Sequence, residues 1–257
     1  MTSVATWNVN SIRSRLLHLL DWLKADAPDV VLLQETKCVD DAFPALEIEA
    51  LGYSIARHGE KSYNGVAILS KFALSDIRIG IPGNEEDTQA RYIEALVATP
   101  SPMRVASVYV PNGQTPDSEK FPYKLRFLDR LNAHVARLLT RGDRLVIGGD
   151  YNIAPEDSDV HNVHEWAGTV LTHIEVRKRL RAMLHQGLYD AGTLMNVRDF
   201  TWWDYRAGAF ANDDGLRIDH LLLSAQAADS LSGYRVVRQV RALEKASDHA
   251  PVLGSFN

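Results

Sequence analysis

Eight polar residues stand where the chain leaves an apolar run or turns tightly: Asn8, Glu35, Tyr109, Asp150, Asn152, Asp219, Asp248 and His249. Carboxylate and amide oxygens are the donors that a hard cation such as magnesium prefers. Cys38 is the only cysteine, so a thiolate-rich zinc site and an intrachain disulfide are both excluded. In the string L-V-I-G-G-D-Y-N, Asp150 offers an anionic acceptor and base, and Asn152 offers a donor and an acceptor. The same string also suits a turn whose Asp and Asn bond their own backbone. Asp219 lies between Ile218 and the run Leu221, Leu222, Leu223. A carboxylate buried among such residues needs a partner, and His249 can be that partner. An imidazole held by a carboxylate is oriented and kept basic, suited to proton transfer or to stabilising charge on a phosphate.

Strands must deliver these groups. Residues 145–147 form a short apolar run, and Gly148 and Gly149 leave room for close approach at its end. Residues 3–9 alternate as a strand that ends at Asn8 and Asn10. Ser11 then suits the cap of a helix carrying Leu16, Leu19, Leu20 and Leu23 and ending before Pro28. Residues 29–33 form the next strand, with Gln34 and Glu35 at its end. A short helix over 42–50 precedes strands over 53–57, 65–70, 90–98 and 103–110. Turn signals at 62–65, at Pro82, Gly83 and Asn84, and at 100–102 predict antiparallel pairing.

The spacing of Leu125, Leu128, Leu131, Val135 and Leu138 predicts a helix over 117–141, stopped by Gly142. Segment 154–173 is too rich in Pro, Asp and His for a core element, and a long loop beside such a strand end faces substrate. A helix over 175–186 buries Val176, Leu180, Met183 and Leu184 and turns Arg177, Lys178, Arg179 and Arg181 to solvent. Strands over 216–223, 234–243 and 252–256 close the chain. The second half echoes the first as a loose duplication: a strand ending in Asp-x-Asn, a helix, then a strand carrying an acid.

With 257 residues and no linker-like stretch, one domain over 1–257 is expected. A formal net charge of -5 argues against coating a polyanion over the whole surface, so a nucleic-acid site must be a local basic patch backed by metal. No secretory signal and no membrane-length apolar run are present, which makes a soluble cytoplasmic protein the expectation.

Seven strings, WNVNSIR, LQETK, NGVAILSK, GDYNIAP, TWWDYR, GLRIDHLL and SDHAPV, occur in an order and spacing that resemble the exonuclease III family of DNA repair nucleases across nearly the whole chain. That family belongs to the endonuclease, exonuclease and phosphatase superfamily. The resemblance implies an α/β, four-layer sandwich of two central mixed β-sheets flanked by helices. It implies Glu35 as the principal magnesium ligand, helped by Asn8 and Asp248, with manganese a possible substitute. Asp150 is then expected to orient or deprotonate the attacking water and Asn152 to fix its place. Asp219 orients His249, which with Tyr109 meets the scissile phosphate. Trp202, Leu216 and Ile218 match the walls of an apolar pocket for an extrahelical abasic sugar, while Trp203 is expected to be structural. Arg206 and the segment from Lys120 to Lys124 are candidate phosphate contacts.

The implied activity is incision 5′ to abasic sites in double-stranded DNA, with removal of 3′-phosphates, blocked 3′ ends and terminal nucleotides, by a monomer. Within the family, the alternative is a 3′ exonuclease and phosphatase with little abasic-site activity. An inositol-phosphate or lipid phosphatase could use the same machinery, and a silent DNA-binding module is the remaining alternative. The Trp202 region speaks against the first of these two, and the intact polar set against the second.

Overall fold

The run V-V-L-L at 30–33 is apolar at every position, the pattern of a strand buried on both faces. In the computed structural model, which describes residues 1–83 and 86–257, Val30 and Leu32 enter a core shared by two sheets. Val31 and Leu33 point the other way, onto Leu19, Trp22 and Leu23 of helix Leu16–Ala25. One mixed sheet has the order Leu231–Val236, Val252–Phe256, Thr2–Asn8, Val30–Gln34, Val66–Ser70, Ser54–His58. The other runs Leu74–Ile79, Tyr92–Val97, Met103–Tyr109, Arg144–Asp150, Asp219–Ser224, Leu188–Asp190. Helices Lys120–Leu139 and Ile174–His185 cover its outer face through Leu128, Leu131, Val135, Val176 and Leu180. Helix, sheet, sheet and helix make the four layers expected from the sequence.

Gly148 of the Asp150 strand explains how closely the sheets meet. A Cβ on Gly148 would come within 2.7 Å of Leu32 Cδ1 and 2.8 Å of Leu221 Cδ2. Any larger residue there would push the sheets apart just below the site.

Each sheet contains one parallel pair joined by a helical crossover. Val4 to Asn8 align with Val30 to Gln34, and Met103 to Tyr109 align with Arg144 to Asp150. The internal echo therefore exists with a different phase from the one expected. The Asp150 strand takes the place of the Glu35 strand, and the Asp219 strand pairs with it antiparallel.

Four further elements differ from the sequence expectation. Strand Leu74–Ile79 was not anticipated, because it is a sheet edge exposed along most of its length and irregular between Ser75 and Arg78. The run 216–223 divides: Gly215–Leu216 pairs with Trp202–Trp203 in a small ribbon, and Asp219–Ser224 joins the large sheet. The strand expected over 234–243 stops at Val236, and Arg238–Arg241 forms a helical turn that buries Val240. Ser11 caps no helix; its φ is 84° and its N–H donates to Glu35 O, while the helix begins at Leu16. Asn84 of the expected turn lies outside the described residues. Among those residues no helix is long and apolar enough to cross a membrane.

Candidate active site

The parallel strands aim their C-terminal ends at one place. Register sets Asn8 beside Gln34, the neighbour of Glu35, and Tyr109 beside Asp150. The antiparallel neighbour starts there, with Asp219 opposite Asp150. His249 arrives on the segment before Val252–Phe256. It is held by Trp7 Nε1 donating to its carbonyl at 3.1 Å and by a bridge to Trp202.

Glu35 forms the outer part of the site. One carboxylate oxygen accepts from Asn8 Nδ2 at 2.8 Å, and the other pairs with Lys37 Nζ at 2.7 Å. Glu35 and Lys37 both have left-handed backbones, at φ 51° and 53°, a conformation costly for these residue types. Asp248 accepts from Asn10 Nδ2 and from Trp202 Nε1, each at 2.9 Å. Burial opposes its charge, but His249 and these two donors hold its carboxyl below the usual range. The Asn8 side-chain oxygen accepts from the Asn10 N–H at 3.0 Å, so its amide nitrogen, which also donates to Asp150 at 3.0 Å, faces the carboxylates. It joins Glu35 to Asp150 through one amide.

The inner part is Asp150, His249 and Asp219, all buried. His249 Nδ1 meets Asp219 Oδ2 at 2.8 Å, and its Nε2 lies 3.7 Å from Asp150 Oδ2. Asp150 also accepts from the Asn152 N–H at 2.8 Å and from Asn152 Nδ2 at 3.2 Å. Burial, joined by the charges of Asp219 and Glu35, lifts the Asp150 carboxyl to about 7 despite the nearby His249. For His249, burial disfavours the charged ring, yet the Asp219 and Asp150 carboxylates raise it to about 10. Burial first, and then the Glu35 and Asp150 charges, push the Tyr109 phenol far upward, so it remains a donor.

A cavity of about 520 Å³ opens over both parts, lined by Glu35, Tyr109, Asp150, Asn152, His249 and, on its apolar side, Trp202 and Ile218. Leu216 does not line it; fully buried, it pairs with Trp202 in the ribbon behind the wall. Trp203 is buried, as expected. Arg206 reaches the cavity rim, is 87% exposed, and pairs with Asp204 at 2.6 Å. Lys120 is exposed in an adjoining cavity that also contains Arg91, whereas Lys124 is fully buried and cannot meet a phosphate.

The sequence reading missed several contributors. Thr201 donates its hydroxyl to Asp219 Oδ2 at 2.6 Å; its place at the head of TWWDYR was the only signal. Trp166, Thr169, Val170 and Leu171 of segment 154–173 also line the cavity, and Trp166 stands edge-on to Trp202 at 6.0 Å. The prediction that this segment faces substrate named no wall residue.

The donor set fits a hard cation: carboxylates dominate, no thiol is near, and Asp219 Oδ1 is buried with no hydrogen-bond partner. Asp150, Asp219 and His249 each bring a ligand atom within 4.8 Å of the others. Glu35 and Asp248 stand outside that group but line the same cavity.

Two mixed sheets whose strand ends converge on paired acids and an acid-held imidazole define a hydrolase of the phosphoryl-transfer kind. Residues 5–249 match the Endonuclease/Exonuclease/phosphatase family, and the chain belongs to it. It is 35% identical to exodeoxyribonuclease III of Haemophilus influenzae, over 98% of both chains. A 3′-5′ exonuclease from Neisseria meningitidis superimposes with a TM-score of 0.96 at 38% identity. An AP endonuclease from Archaeoglobus fulgidus gives 0.95 at 35%, and each match covers 100% of both chains.

Proposed function

We propose that this chain is a metal-dependent DNA repair nuclease that hydrolyses the phosphodiester 5′ to an abasic site and leaves a 3′-hydroxyl. In the same site it removes 3′-phosphates, blocked 3′ ends and nucleotides from duplex DNA. The observation that carries this reading is the shared cavity, in which Asp150 and His249 face the same space as the Trp202 and Ile218 wall. The relatives named exodeoxyribonuclease III, 3′-5′ exonuclease and AP endonuclease support the substrate class.

Asp150, held by N–H groups of Asn152 and Asn8, aims a water at phosphorus and accepts its proton near neutral pH. His249, kept charged by Asp219, and the protonated Tyr109 donate to phosphate oxygens. Trp202 and Ile218 accept the small body of a baseless sugar and leave no room for a nucleotide with its base. Glu35 would be the principal oxygen ligand of magnesium, helped by Asn8 and Asp248, with manganese as a substitute. When bound, the cation neutralises charge building on the phosphate.

A second reading, 3′-end processing with little abasic incision, is favoured by Trp166, which lines the same cavity and packs edge-on against the Trp202 ring that would otherwise be free to meet a sugar. One labelled duplex, carrying either an abasic analogue or a nicked 3′-phosphate, separates the two in magnesium and in EDTA. Both substrates are expected to be consumed with magnesium and spared in EDTA. Glu35→Ala should slow both on the order of a hundredfold or more. Phosphate removal without incision would install the second reading, and undiminished turnover in EDTA would sink the metal assignment.

A further inference from the structure

Lys124 is a fully buried amine with no part in the chemistry above. Its Nζ is held by carbonyls alone: Asn152 O at 2.7 Å, Val170 O at 2.8 Å and Asn112 O at 3.1 Å. An ammonium has three donors, and all three are used. Among the described residues no carboxylate forms an ion pair with it, and burial pushes it down to about 7, against the Asp150 charge, which favours the ammonium. Such a charge is expensive to bury, and an apolar chain of equal length would fill the space without that cost.

The three acceptors share one property. Each belongs to a different segment of the cavity wall: the loop after Met103–Tyr109, the turn after Arg144–Asp150, and segment 154–173. Asn152 is left-handed at φ 50°, with its side-chain oxygen accepting from Asn112 Nδ2 at 3.0 Å. Gly113, at φ 93°, wraps the lysine stem so tightly that a Cβ there would lie 3.1 Å from Lys124 Cδ and 3.5 Å from Val170 Cβ. Backbone and side chains of all three segments therefore converge on one amine.

We propose that Lys124 is a positioning residue for hydrolysis, its ammonium tying three wall segments into one body that fixes Asn152, and through it Asp150, against the phosphate. This rests on the proposed role of Asp150, which Asp150→Asn in the same assay tests separately: turnover near wild type there sinks that role whatever the Lys124 variants do. The experiment compares wild type, Lys124→Met and Lys124→Gln on the nicked 3′-phosphate duplex, with amide hydrogen exchange measured on the metal-free proteins. Lys124→Met should lower kcat about tenfold to hundredfold, the scale of a catalytic group misplaced by an ångström, with KM changed by less than about threefold. Lys124→Gln, which keeps N–H donors, should recover part of the loss. Exchange should quicken together at 111–114, 152–154 and 168–171, and stay unchanged in the Thr2–Asn8 and Val66–Ser70 strands. A kcat within about twofold of wild type for both variants overturns the proposal. So does faster exchange throughout the protein, which would make Lys124 a general packing residue. If Lys124→Met does not fold, the Lys124→Gln kcat and its exchange pattern decide alone.

Discussion

The mouth of the site and its floor use the same side-chain chemistry under different solvation. At the mouth, Glu35 and Lys37 pair at 2.7 Å with 16% and 28% of their side chains in contact with solvent. On the floor, Asp150, His249 and Asp219 are no more than 5% exposed. An ion pair at a wet edge costs little to open, so Glu35 can exchange an ammonium for another cation. On the floor every charge is fixed, and low dielectric magnifies each interaction. Solvent access thus divides one acidic site into a region fit to bind a cation and a region fit to hold and move protons.

The most severe way to break this division is to remove the floor's internal support. Asp219 holds His249 in orientation and charge, so Asp219→Asn and His249→Asn should each slow single-turnover cleavage by about a hundredfold to a thousandfold. The double variant should cost little more than either alone, because the two act as a unit. Strict additivity would mean that the pair does not cooperate, and the floor would then be only a set of separate charges.

How much of this was legible in the sequence follows from where each interaction lies along the chain. The strands that deliver Glu35 and Asp150 were readable, since a strand buried on both faces must be apolar throughout. The Asp219–His249 pair was readable because a carboxylate within an apolar run demands a partner. Thr201, Asn10 and Lys124 act through contacts with residues distant in sequence or with main-chain atoms, and neither leaves a periodic trace. The direction of the Asn8 amide depends on one N–H, that of Asn10, which only the folded turn presents. Leu216 illustrates the limit of carrying a wall over by motif: its neighbour Ile218 lines the cavity, while Leu216 itself supports the ribbon from behind.

Trp202 joins the two regions, and dissecting it sharpens their separation. Its N–H donates to Asp248 and its ring walls the cavity. Trp202→Ala should lower abasic-site incision about tenfold to hundredfold, the worth of one aromatic stack, and affect 3′-phosphate removal much less. Trp202→Phe keeps an aromatic face and loses only the donor, so it should stay within a few-fold of wild type on the abasic duplex. Equal losses of both activities in Trp202→Ala would make the indole a structural support with no part in recognising the sugar.

The smallest effect concerns stability, and it tests the floor without any substrate. The Asp150 carboxyl is raised from an unfolded value of about 4 to about 7, chiefly by burial, so the folded chain retains its proton over a range where the unfolded chain has lost it. Stability must therefore fall as pH rises through that window. Asp150→Asn keeps the shape and removes the charge. Its advantage over wild type should be near zero at pH 4 and grow steadily as pH rises toward the folded value, read as a widening difference in Tm. His249 has the same sign: its raised value adds stability that is present below about 6.5 and lost as pH climbs through about 10, so the gap between the two proteins is read from pH 4 to about 6.5, below that window. Melting both proteins across that range in EDTA reads the difference directly. A gap that is flat with pH, or that favours wild type near neutrality, would show that the Asn152 and Asn8 donors fully offset the burial of Asp150, and that the floor carries no stored electrostatic cost.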